Sequence, residues 1–167
     1  CPKSSTWINQ PNRMKRFLFL LLLFAACSVR ADEFVWFDGS HTITYAAPRN
    51  ATPVVGVALD LFRSDLRQVT GFEPIAAPAS KATIRIVELN KASAAVRNAL
   101  KKTGVPVDEL TAKPDGFHID IHDEQLRIVG SNGRGTAYGI LELSRMAGVS
   151  PWVWWGDVTP ERRTKLA

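Results

Sequence analysis

The stretch LRIVGSNGRGTAYGILELSRMAGVSPWVWWGD, residues 126–157, decides the fold. Leu126, Ile128 and Val129 are strand formers, and Gly130, Gly133 and Gly135 can adopt backbone angles that other residues resist, so a sharp reversal is expected after the strand. A helix follows. On its wheel Ala137, Ile140, Leu141, Leu143 and Ala147 share an arc of roughly 160°, wider than the stripe of an ordinary surface helix. Such a helix needs cover on more than one side. Gly148 reads as a left-handed stop and Pro151 forbids continuation, so the chain is expected to leave extended through Trp152, Val153, Trp154 and Trp155.

Working back from this stretch, Phe117 to Ile121 is the preceding strand, and Asp123-Glu124 turns it into the strand from Leu126. Thr83 to Glu88 sets Ile84, Ile86 and Glu88 against Arg85 and Val87, a strand with one partly wet face. Ser93 caps a helix whose Val96, Ala99 and Leu100 face inward, with Lys101 and Lys102 at the end where cations suit the dipole; Gly104 and Pro106 end it. Residues 105–116 read as a loop or short turn. Thr52-Pro53 opens an earlier helix, in which Val55, Leu59, Phe62, Leu66 and Val69 share one face until Gly71; Asp60, Arg63, Ser64 and Arg67 form its solvated side. Earlier still, 34–37 and 42–45 read as two short strands around the turn Asp38-Gly39-Ser40. The predicted order is strand, strand, helix, strand, helix, strand, strand, helix. That order suits an α/β (α+β) two-layer sandwich, a mixed sheet with helices packed on one face.

The beginning of the chain reads differently. Met14-Lys15-Arg16 opens an apolar run from Phe17 to Ala26, followed by small residues, the pattern of a secretory signal peptide. Residues 1–13 are expected to be non-coding read-through, 14–31 the leader, 32–158 an α/β domain and 159–167 the start of a linker. Val29-Arg30-Ala31 before Asp32 fits ordinary cleavage, whereas Phe24-Ala25-Ala26-Cys27 loosely resembles a lipoprotein box that would anchor the chain through Cys27; Phe24 stands where such boxes carry Leu, so ordinary export is the preferred reading. Either route exports the protein to the periplasm or beyond.

Of the 21 Lys and Arg, five (Lys3, Arg13, Lys15, Arg16, Arg30) precede Asp32, leaving 16 against 16 Asp and Glu. The mature chain is then neutral, and nucleic acid is excluded as the partner that a sequence pI near 9.5 would suggest. Both cysteines, Cys1 and Cys27, also precede Asp32, so a mature chain has no disulfide or thiolate metal site.

The run GSNGRGTAYGILELSRMAGVSPWVWWGDV, residues 130–158, resembles the signature of glycoside hydrolase family 115, the bacterial and fungal alpha-glucuronidases that act on glucuronoxylan. The resemblance is densest over 117–158 and thinner from Phe34. It implies the non-catalytic amino-terminal domain of such an enzyme, similar to that of hexosaminidase-like glycosidases. The resemblance places the catalytic carboxylates in a carboxyl-terminal barrel beyond Ala167, and that barrel is the expected intramolecular partner. The implied reaction is inverting hydrolysis of alpha-linked glucuronic or 4-O-methylglucuronic acid side chains from xylan-type polysaccharide. A homodimer is the assembly open to the full-length enzyme, no cofactor is implied, and the present chain alone is expected to be inactive.

Five residues are singled out as substrate-adjacent or domain-interface: Arg134, Trp152, Trp154, Trp155 and Asp157. Arg134, in a turn ahead of a helix, could add charge to backbone amides that hold an anion, although the turn lacks the Lys-Ser/Thr ending of a phosphate loop. Under the resemblance it lies near the sugar carboxylate or the barrel rim. The tryptophans suit either the C–H face of a pyranose or an interdomain junction, and the junction is the preferred reading. In an extended segment Trp152 and Trp154 would point to one side and Trp155 to the other. Asp157 either caps the next element or reaches a ligand. His118, Asp120 and His122 alternate on one strand face and have zinc-ligand chemistry, but half-exposed strands show that alternation by default, so a wet face is preferred and no metal is expected. No pair of carboxylates stands out as a catalytic acid and base. The alternative to the enzyme-domain reading is a stand-alone carbohydrate-binding or protein-interaction module.

Overall fold

The structure is a computed structural model that describes residues 33–156 and 158–167; the side chains of Trp154 and Trp155 are not described. The leader, its cleavage site, Cys27 and Asp157 lie outside the described residues. The packed unit runs from Phe34 to Ala167.

In chain order the elements are β1 (Thr44–Ala46), α1 (Pro53–Thr70), β2 (Ile75–Ala76), β3 (Ile84–Glu88), a 3-10 turn (Leu89–Lys91), α2 (Ala94–Lys102), α3 (Val107–Ala112), β4 (Phe117–His122), β5 (Gln125–Gly130), α4 (Gly133–Met146) and α5 (Val153–Gly156). The strands form one mixed sheet in the order β2-β1-β3-β5-β4, with β4 antiparallel to β5 and the other neighbours parallel. This is the α/β class with a mixed sheet that the sequence predicts.

Period-two alternation sorts the sheet into two faces. Ile84 and Ile86 of β3, with Leu126 and Ile128 of β5, meet Val55, Phe62 and Leu66 of α1 and Ala137, Ile140 and Leu143 of α4 in the main core. The apolar faces predicted for these two helices are therefore the faces buried. Val87 and Val129 point the other way and join Leu100, Val105, Val107 and Leu110 in a second, smaller core. The two long helices share one face as expected, and the short α2 and α3 cover part of the other. Consecutive apolar residues, Ile86-Val87 and Ile128-Val129, mark strands buried on both sides.

Four glycines set how closely α4 approaches its neighbours. A Cβ at Gly130 would lie 2.2 Å from the Thr136 backbone nitrogen, at Gly133 2.6 Å from Thr52 Cβ, at Gly135 2.3 Å from Gly116 O, and at Gly139 2.5 Å from Ile128 Cγ2. None of the four has a positive φ. Their role is room for backbone and side-chain contact, and the conformational freedom expected of Gly130, Gly133 and Gly135 is not used. The helix also starts earlier than expected, at Gly133, so Gly133, Gly135 and Gly139 are all helical.

Other differences have local causes. Residues 34–37 do not form a strand beside 42–45, because β2 and β3 already occupy both edges of β1. Phe37 pairs instead with Leu166, whose N–H donates to Phe37 O at 2.8 Å. The segment 159–167, expected to be a linker, is thus tied back onto the domain: Leu166 is buried, and Arg163 N–H donates to Val69 O at 2.8 Å. The edge strand β2 and the helix α3 were not expected. Ile75 and Ala76 are both exposed and too few to show a period, while Val107 and Leu110 of α3 are a single inward-facing pair one turn apart. Gly148, at φ +99, is left-handed as predicted. The segment 152–155 is not extended, however. Ser150 Oγ accepts the Trp152 N–H at 3.2 Å, and Gly156 N–H donates to Trp152 O at 2.7 Å. Val153 N–H donates to Ser150 O at 3.0 Å, so the chain turns through Pro151 and Trp152 and enters α5 with residues 154 and 155, and the two-sided disposition expected of a strand does not hold.

One buried carboxyl sits between the long helices. Asp65 of α1 is only 4% exposed, and burial pushes its pKa up; Ser144 of α4 opposes the rise without a hydrogen bond of good geometry to it. An acid whose folded pKa is raised weakens the fold once pH climbs through that value. Asp65→Asn is expected to raise the melting temperature at neutral pH, with the advantage shrinking as pH falls below the ordinary carboxylate range; equal gains at both pH values would show that ionisation is not the cause.

Gly130→Ala is expected to destabilise the chain by about 1–3 kcal/mol, because backbone atoms cannot yield to the added methyl. Gly56 in α1 has nothing within 4 Å of an added Cβ, and Gly56→Ala is expected to stabilise by about 0.5–1 kcal/mol through helix propensity. Denaturant unfolding of both variants checks the contrast.

Candidate functional site

The carboxyl ends of parallel strands in an α/β sheet are where ligand-binding loops collect. Here they carry interlocked polar groups. Glu88, the last residue of β3, is 1% exposed. Its Oε2 accepts the Thr52 N–H at 2.8 Å and its Oε1 accepts the Thr52 hydroxyl. Thr52 precedes the first turn of α1, so the carboxylate lies at the positive end of that helix. The Thr52 hydroxyl is therefore turned to Glu88 and does not cap its own helix. Gly133 packs on Thr52 and brings the start of α4 to the same point.

Asn132 caps α4: its Oδ1 accepts the Gly135 N–H at 2.9 Å, and its Nδ2 donates to Asp115 Oδ1 at 3.0 Å. Arg134 Nη2 donates to the other oxygen of Asp115. Asp115 has a φ of +62 in the turn Pro114-Asp115-Gly116, and Gly116 O accepts the Ser131 N–H at 2.9 Å. Hydrogen bonds from Arg134 and then Asn132, with the guanidinium charge, hold the Asp115 carboxyl below the usual range. The anion in front of this helix is thus the chain's own carboxylate, and Arg134 is exposed but already paired.

The strand face bearing His118, Asp120 and His122 is turned toward the carboxyl end of α2. Arg127 of β5, 5% exposed, donates from Nε to Asp120 Oδ1 at 2.8 Å and from Nη1 to Thr103 Oγ1 at 2.7 Å, with Nη2 on Asp120 Oδ2. Burial pushes Asp120 up, but the hydrogen bonds and charge of Arg127 outweigh it and leave the carboxyl lowered. His118 Nε2 lies 3.5 Å from Asp120 Oδ2, and His122 faces Asp123 at 3.2 Å. The set is half-buried and engaged, not the simple wet face expected. Sequence reading missed Glu88 and Asp115 as organising groups; the Pro-Asp-Gly turn was the available signal for Asp115, whereas nothing near Glu88 in sequence points to Thr52.

The residues singled out from the sequence do not converge. Arg134 is in the first turn of α4 and Trp152 follows its end, so the 14-residue helix separates them by roughly 20 Å at 1.5 Å per residue. Trp152 is 67% exposed, and Met146 and Val158 are also exposed. Among the described residues, the buried carboxylates Asp65 and Glu88 are enclosed between elements, and none faces a second carboxylate across a cleft as glycoside hydrolysis requires.

No family model and no curated protein matches the chain. Among solved structures it is similar to a family GH115 4-O-methyl-alpha-glucuronidase with specificity for decorated arabinogalactans, at 32% identity and a TM-score of 0.68. The fold is GH115-like. The match covers 81% of this chain and 17% of the glucuronidase, so the chain spans only part of that enzyme's length.

The Asp115 knot gives a titration test. A carboxyl whose folded pKa is depressed contributes stability above its ordinary pKa, and that contribution is lost as pH falls through the folded value. Carboxyl-carbon NMR between roughly pH 5 and pH 2 is expected to show Asp115 titrating below the ordinary aspartate range, with Arg134→Ala moving it upward. An unmoved midpoint in the variant would mean that Arg134 is not its partner.

Proposed function

We propose that this chain is the amino-terminal, non-catalytic domain of an exported glycoside hydrolase that removes glucuronic or 4-O-methylglucuronic acid side chains from plant polysaccharide. The observation that carries this reading is the similarity to the GH115 glucuronidase over 81% of the chain, with 32% identity. The chain spans 17% of that enzyme's length, which leaves ample polypeptide for a separate catalytic barrel. The chemistry would reside there. The present domain supplies a scaffold, and Trp152, together with the tryptophans at 154 and 155, is its docking surface for the barrel. The substrate backbone is xylan by resemblance, while the neighbour's specificity for decorated arabinogalactans supports the wider class of glucuronic-acid-decorated glycans.

The exposure of Trp152 favours a second reading, a module that stacks on sugar rings directly. The two separate experimentally. The chain alone is expected to release no uronic acid from glucuronoxylan or decorated arabinogalactan, whereas a polypeptide continuing in frame past Ala167 into a barrel is expected to do so. In that longer protein Trp152→Ala is expected to lower the melting temperature by loosening the junction. Release by the chain alone, or a stop codon directly after Ala167, overturns the proposal. Retention of the isolated chain on insoluble xylan, lost in Trp152→Ala, would select the second reading.

A further inference from the structure

On the sheet face covered by α2 and α3, the ends of β3 and β5 open onto a cavity of about 390 Å³. Its polar lining is Asn90, Arg97, Thr111, Lys113, Ser131 and Asn132, two cations and four uncharged polar side chains with no carboxylate among them; the Asn132 amide is engaged in the α4 cap and Thr111 Oγ1 donates to Val107 O at 2.7 Å, which leaves Asn90 and the cations as the chief contacts. Arg97 Nε donates to Ala92 O at 3.1 Å, which orients the guanidinium while leaving its terminal nitrogens toward other partners. Among the described residues neither Arg97 nor Lys113 forms an ion pair; the nearby Asp115, tied to the rim through Asn132, is taken by Arg134. Ser131 is 9% exposed, and its Oγ is buried without a hydrogen-bond partner. A buried hydroxyl is costly to leave unpaired, and this one would meet a polar group in the cavity once the Ser131 side chain turned toward it.

We propose that this cavity binds a uronate residue, separately from any catalytic centre. A guanidinium fork and an ammonium group are the natural recognition set for a carboxylate, and hydroxyl and amide side chains match the hydroxyls of a pyranose. Leu89 and Pro114 provide an apolar wall for the ring. The volume falls at the small end of ligand pockets, which begin at about 300 Å³, and suits one sugar better than an oligosaccharide. The positive lining calls for an oxyanion whatever the enzyme does; the choice of a uronate over another oxyanion rests on the function proposed above. Such a site would hold the domain on a decorated glycan by its acidic side chains.

The test is an amide NMR titration of the full chain with glucuronate, glucose and inorganic phosphate. Glucuronate is expected to shift the resonances of Asn90, Ser131 and Asn132, glucose to leave them in place, and phosphate to bind more weakly than glucuronate. Arg97→Gln with Lys113→Gln is expected to weaken glucuronate binding on the order of tenfold or more, the scale of losing charge-assisted hydrogen bonds, with the rest of the spectrum unchanged. Ser131→Ala is expected to weaken it less. Absence of shifts, an equal response to glucose, phosphate binding as tight as glucuronate, or undiminished binding by the double variant each overturns the assignment. The enzyme reading stands on hydrolysis and on the reading frame, so a cavity that ignores glucuronate would leave it in place.

Discussion

The approach of α4 to the sheet is the constraint on which the rest of this structure depends. Gly139 lets the helix settle on Ile128, Gly135 lets the loop at Gly116 pass beneath its first turn, Gly133 admits Thr52, and Gly130 accommodates Thr136 directly after β5. With side chains at these points α4 would have to stand off, and Ile140 and Leu143 would lose contact with the core they share with α1 and the sheet. Burying such a side chain contributes roughly 1.5–3 kcal/mol, so distance here converts directly into stability.

Close packing at one end of α4 also organises the polar groups. Because Gly133 and Thr52 touch, the start of α1 is brought to the end of β3, where the buried Glu88 accepts both the N–H and the hydroxyl of Thr52. Asn132 then links the α4 cap to Asp115. These groups satisfy one another, as buried polar groups generally must. The exceptions carry information: among the described residues Ser131 Oγ is buried without a partner and Arg97 and Lys113 form no ion pair, whereas Arg127, buried on the same face, is fully answered by Asp120 and Thr103.

The GH115-like fold and the arrangement of charges agree on the character of this domain. Its best-engaged carboxylates face its own chain: the buried Glu88 holds Thr52 and the half-buried Asp120 holds Arg127. Its outward features are an exposed Trp152 at the far end of α4 and a basic cavity at the near end, set apart by the length of the helix.

What the sequence determined by itself was local and periodic. The apolar faces of α1 and α4, the Ser93 cap, the Asp123-Glu124 turn, the left-handed Gly148 and the mixed α/β order follow from side-chain spacing and backbone preference, which act within a few residues. Only the tertiary structure decided matters that depend on two distant segments meeting. It placed Leu166 against Phe37, turned Thr52 toward Glu88, and gave the glycines of 130–139 a role in packing that their sequence could suggest only as turn formation. The same limit applies to the site. Arg134 was visible as a cation before a helix, but its partner Asp115 comes from a loop that folds back over that helix, and Arg97, Lys113 and Ser131 share a cavity only because α2, α3 and β5 converge. Hydrogen bonds and steric contact reach a few ångströms, and sequence spacing carries no record of which remote residues the fold brings within that reach.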